Sequence, residues 1–237
     1  MKLLDTTGGN TKLRKNNRDG RIRVAGLSLT PDDSVCPMRH IAGCAKSCLV
    51  HAGRGHMPSV INGRQSKLDY WHSDRPEFLN QLVRELSNFE KLCAKTNVKP
   101  YVRLNVVSDI AYEKKAYGQI PQQFPNISMY DYTKQSNRLG KLPANYRLMF
   151  SYSPAPEYQD EVRVALDSGV PMSAVFYPEL PDVFLGRRVI DGDISDIRNL
   201  DHAGCIVGLR YKNANGQGVN PMDETFVVKT INLSKAA

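Results

Sequence analysis

No stretch of this chain approaches the roughly 20 consecutive apolar residues that a membrane-spanning helix needs, so no membrane partner is expected. The opening residues Met1-Lys2-Leu3-Leu4-Asp5 reach charge too early for a secretory leader, and a cytoplasmic protein is the expectation. Cysteine is scarce, and its count of five is odd. A secreted disulfide framework spreads an even number along a smaller chain, so pairing is not the expected use. A serine nucleophile elbow is also missing: Gly26-Leu-Ser-Leu-Thr30 fails the G-x-S-x-G pattern at its last position. No internal repeat, heptad run or low-complexity segment occurs, which excludes solenoids and coiled coils.

What is present fits one globular domain over residues 1–237, with 41% hydrophobic and 24% charged residues. The formal charge is +8, and residues 1–23 carry seven Lys or Arg against two Asp. Such a basic N-terminal segment is suited to a nucleic-acid backbone, and binding through it would weaken steeply with salt. A solvated arm that aids solubility is the alternative.

Strand-like and helical patterns alternate along the chain. Residues 21–29 read as a strand that Thr30-Pro31-Asp32-Asp33 ends. A helix follows over about 58–71, with Val60, Ile61, Arg64 and Leu68 on related turns. A second runs from about Asp74 to Asn97, where Phe78, Leu82, Leu86, Phe89 and Cys93 form one apolar stripe. Further strands are expected over 101–110, 127–132, 146–152, 172–177, 188–190 and 205–209, with a helix opened by Pro156 and closed by Gly169. Strands separated by helical connections predict an α/β fold with a mostly parallel sheet. The number of units suits a partial or irregular TIM-like barrel with a ligand loop after the first core strand.

That loop is Cys36-Pro-Met-Arg-His-Ile-Ala-Gly-Cys44-Ala-Lys-Ser-Cys48, of the form C-x7-C-x3-C. A helical turn would place Cys44 and Cys48 on one face, with Cys36 arriving extended from the other side. Three such thiolates hold three irons of a four-iron, four-sulfur (4Fe-4S) cluster and leave the fourth iron open. Zinc completed by His40, His51 or His56 is the competing reading, although its cysteine pairs usually enclose two to four residues. Ligands gather at the carboxyl ends of parallel strands. Asn105, Ser108 and Asp109, Asp131 with Lys134, Ser151 to Ser153, and Asp191 to Asp193 are all expected there, with Asp131 facing the interior between Tyr130 and Tyr132.

A strand, a three-cysteine loop and alternating helices and strands resemble the opening of radical S-adenosylmethionine (AdoMet) enzymes. The spacing differs from that superfamily's C-x3-C-x2-C, and Asn105 to Asp109 stands in place of its Gly-Gly-Glu-type segment. Over most of its length the chain resembles the phage gene product 88 proteins. That likeness rests on Gly9 to Lys12, the cysteine loop, Arg103 to Ile110, Tyr130 to Lys134 and Asp191 to Asp193. It implies a viral origin, hence a host cytoplasm, and a cluster-bearing barrel-like fold.

The leading functional expectation is an esterase-like hydrolase acting on a small molecule, with the open iron as Lewis acid. His51, His56 or Asp109 would serve as base or fourth ligand. Lys134 would join them in catalysis, and with Arg103 would hold an anionic substrate beside Asn105, Ser108 and Asp131. AdoMet chemistry is the second expectation. A non-catalytic binder of nucleic acid or host protein, with the cluster only fixing the fold, is the third.

Overall fold

The computed structural model describes residues 1–6, 20–201, 204–212 and 220–232. Most of the basic segment, including Gly9 to Lys12, lies outside them. The described strands are β1 (Leu4–Asp5), β2 (Ile22–Leu27), β3 (Lys99–Arg103), β4 (Ser128–Thr133), β5 (Tyr146–Ser151), β6 (Met172–Tyr177), β7 (Val183–Phe184), β8 (Arg187–Asp191), β9 (Ile206–Arg210) and β10 (Val228–Lys229). The helices are α1 (Pro58–Ser73), α2 (Arg75–Lys95), α3 (Ile120–Gln123) and α4 (Gln159–Asp167). None of the described helices is long and apolar enough to cross a membrane.

One sheet runs in the order β1-β2-β3-β4-β5-β6-β9-β8-β7, with β10 also paired to β6. From β2 through β6 to β9, six strands succeed one another in chain order, each parallel to the next. β8 is parallel to β9, while β1 and β7 are antiparallel margins. The expected mixed α/β, mostly parallel architecture is therefore present. Closure into a barrel is not: β1 and β7 end the sheet on opposite sides, and no pairing joins them among the described residues.

The α2 stripe behaves as its spacing predicts, because Phe78, Leu82, Leu86, Phe89 and Cys93 are all buried. Its start is fixed by Asp74, whose side chain accepts from the Glu77 amide at 3.0 Å. α1 is different. Leu68 and Trp71 are buried, but Val60 and Ile61 of the anticipated apolar face are exposed. Trp71 anchors this side of the core by edge contacts with Phe78 and Tyr112.

The second anticipated strand, over 101–110, stops at Arg103 instead of Ile110. The Asn105 side chain donates to Ile110 O at 2.9 Å and accepts from Ile110 N at 2.8 Å, which folds 104–110 into a loop in place of a ladder. With six strands running one way, that loop, the cysteine loop and the chain after β4, β5 and β9 all emerge at the same edge of the sheet.

Candidate functional site

The cysteine loop is built from turns. Asp32 Oδ1 accepts from the amides of Ser34 at 2.9 Å and Val35 at 3.1 Å, and Cys36 N donates to Asp32 O at 2.8 Å. Farther on, Arg39 O receives the amides of both Cys44 and Ala45 at 3.1 Å. Gly43 takes a left-handed conformation at φ 69°. These bonds break helical continuity, so Cys44 to Cys48 is a turn and not the expected helical one. The three thiols nevertheless reach the same place: Cys36, Cys44 and Cys48 line one cavity.

All three are half-buried free thiols. Burial pushes the Cys36 thiol up, reinforced by the charges of Asp109, Cys44 and Cys48. Burial raises Cys48 as well. Both are therefore held as neutral thiols until a cation compensates the thiolate. Among the described residues, no three His, Cys, Asp or Glu side chains are gathered closely enough to hold a single metal ion. Tetrahedral zinc needs sulfurs roughly 3.8 Å apart, given Zn–S bonds of about 2.3 Å. Three soft thiol donors around one cavity are the donor type that zinc and iron–sulfur sites both use.

The cavity encloses about 1070 Å³ including its open mouth. Val106, Val107, Val175, Leu209 and Phe226 give it an apolar wall, while Asn105, Ser108, Asp109, Lys134, Ser151 and Ser173 supply polar groups. Apolar walls with a few placed polar groups are what small-molecule sites usually present. Its cations differ in availability. Arg103 pairs with Asp196 at 3.3 Å, Arg210 with Asp191 at 2.7 Å and Lys212 with Asp193 at 2.8 Å. Lys134 makes no ion pair among the described residues. Its Nζ donates to Ser151 Oγ at 3.0 Å and lies 5.5 Å from the Tyr158 ring centroid and 5.4 Å from that of Phe226.

Behind this wall lies a buried ionic network. Arg138 forks onto Glu113 at 3.0 and 2.8 Å, reaches Asp109 with its other amino group, and meets Tyr146 Oη at 3.0 Å. Asp109 Oδ2 accepts from Lys134 N at 2.9 Å, and its own amide donates to Val35 O at 2.7 Å, one residue before Cys36. The network thus ties the loop after β3 to that after β4 and to the cysteine loop.

Asp131 accepts from Asn105 N at 2.7 Å, Asn105 Nδ2 at 3.0 Å and Tyr146 Oη at 3.0 Å, so it positions Asn105 instead of lining the cavity. Burial pushes its carboxyl up to about 6 from an ordinary 3.8, against the pull of Asn105, Arg103 and Arg138. The folded chain then holds this proton more tightly than the unfolded chain does. Stability falls as pH rises from about 4 to 6 and is flat above. Relative to Asp131→Asn, the wild type should lose about 2 kcal/mol between pH 4.5 and 7. Urea unfolding at both values checks this, and a pH-independent difference would refute it.

His51 and His56 do not line the cavity. They lie in two short 3-10 turns, Leu49–His51 and Gly53–His56, and His56 is exposed. Arg103 and Asp109 line the cavity but are engaged by Asp196 and Arg138. Sequence reasoning missed Ser47, Ser173, Arg138, Glu224 and Phe226. Ser173, a polar residue near the start of an apolar strand, carried a readable signal. Ser47 lies within the cysteine loop itself, whereas Arg138, Glu224 and Phe226 meet the site only through tertiary contacts.

A family model described as gene product 88 matches residues 1–221. No curated protein and no solved structure matches the chain.

Proposed function

The chain belongs to the phage gene product 88 family, and from that premise we propose that it is a 4Fe-4S enzyme of the AdoMet-cleaving kind. Cys36, Cys44 and Cys48 are the cluster ligands. The observation that carries the reading is a single cavity shared by these thiols, in the loop after the first of six sequential parallel strands, and by residues on or just after the other five. We read that six-strand run as a partial barrel wrapped about the cavity.

Cys36, Cys44 and Cys48 would hold the cluster, which would supply the one-electron reduction that AdoMet cleavage requires. The chain's own residues do the rest. Lys134 receives the ligand carboxylate as a point charge at the polar end. Asn105, Ser151 and Ser173 offer hydrogen bonds beside it. Val106, Val175, Leu209 and Phe226 offer an apolar surface for the face of the adenine ring and exclude water beside it.

Hydrolysis of an ester or amide is the second reading, and one observation favours it. Lys134 Nζ and Ser151 Oγ stand 3.0 Å apart, within reach for a lysine-activated serine. Anaerobic, reconstituted chain given dithionite and AdoMet separates the two. The expected products are 5′-deoxyadenosine and methionine, absent in Cys36→Ala and still formed, with weaker AdoMet binding, in Ser151→Ala. Turnover of small esters without AdoMet cleavage, lost in Ser151→Ala, would replace the first reading with the second. Neither activity, with an intact cluster, would sink both.

A further inference from the structure

The C-terminal segment 220–232 returns across the cysteine loop. β10 pairs parallel to β6, with Val228 opposite Phe176 and Lys229 opposite Tyr177, and Thr230 Oγ1 donates to Tyr177 O at 3.2 Å. Just before β10, Glu224 and Val227 are buried. The Glu224 carboxylate accepts from Ser47 Oγ, a buried hydroxyl between Cys44 and Cys48. Lys229 Nζ donates to the main-chain oxygen of Glu224 and closes the segment on itself. A side chain at Gly43 would overlap Thr225 Oγ1, so loop and segment touch where only glycine permits it. Phe226 then enters the cavity wall beside Lys134.

We infer that Glu224 is a positioning residue for the thiol cavity. Through Ser47 it fixes the turn bearing Cys44 and Cys48, and it pins residues 224–226 as a cover over the thiols. Two buried polar groups 177 residues apart in sequence satisfy each other there. Losing either partner leaves the other desolvated and unpaired, which favours local lifting of the segment. The matched family residues end at 221, so this cover is carried by chain beyond them. These contacts are made by the chain alone, whatever the cavity binds.

Its test uses the full, metal-free chain under anaerobic conditions, with iodoacetamide labelling followed at each cysteine by mass spectrometry. Cys93 on α2 and Cys205 before β9 are internal controls, since both are buried away from the cover. In Glu224→Ala, labelling of Cys36, Cys44 and Cys48 should rise about tenfold while Cys93 and Cys205 keep their rates. Ser47→Ala should reproduce the pattern. Glu224→Gln, whose amide oxygen still accepts the Ser47 bond, should stay near the wild type. Unchanged labelling of the three thiols in both alanine variants would overturn the inference. So would a parallel rise at Cys93 and Cys205, which would mean general loosening in place of a separable cover.

Discussion

Arg138→Ala is expected to lower the unfolding free energy by about 3–5 kcal/mol, enough to leave a domain of ordinary stability marginal. The Arg138 side chain is fully buried, and those of Asp109 and Glu113 are 5% and 8% exposed. Removing the guanidinium therefore strands two carboxylates in a dry interior, along with the Tyr146 hydroxyl that shares it. Burial alone works against the Arg138 charge, yet Tyr146, Asp109 and Glu113 together hold it well above its usual range. Arg138→Lys should recover only part of the loss, because an ammonium cannot reproduce the two-pronged contact with Glu113. Urea unfolding decides this, and a loss below about 1 kcal/mol in Arg138→Ala would show that the network relaxes or is solvated.

Lys134→Met is expected to weaken AdoMet binding by roughly 30- to 1,000-fold, or about 2–4 kcal/mol. Methionine keeps much of the apolar stem, so contacts with Tyr158 and Phe226 survive while the charge is lost. The effect should be large because Arg103, Arg210 and Lys212 already serve protein carboxylates. Lys134 is left to meet the ligand. Equilibrium dialysis with the anaerobic, reconstituted chain measures it. A dissociation constant within about threefold of wild type would assign the anion to another cation.

Much of the fold was legible because its signals are local. The α2 stripe from Phe78 to Cys93 repeats at helical spacing, and runs such as Met172 to Tyr177 are apolar enough for strands covered on both faces. The loop at 104–110 was read as strand because its sequence, Leu-Asn-Val-Val-Ser-Asp-Ile, has strand propensity, and the Asn105 side chain overrides it. That the three cysteines and Lys134 fall on one cavity was legible from residue type and from place at the strand ends. His51 and His56 are close to the cysteines in sequence, but they lie in two 3-10 turns and do not line the cavity. Arg138, Glu224 and Phe226 were not legible, since no spacing in the chain reports a contact made across 29 or 177 residues.

The three-thiol cluster site is tested most directly by the iron, sulfide and zinc content of anaerobically purified wild type and Cys44→Ala, with absorption spectra of both. About four irons and four sulfides per chain in the wild type, lost in Cys44→Ala, is the expected result. One zinc with no sulfide in the wild type, or iron and sulfide fully retained in Cys44→Ala, would contradict it.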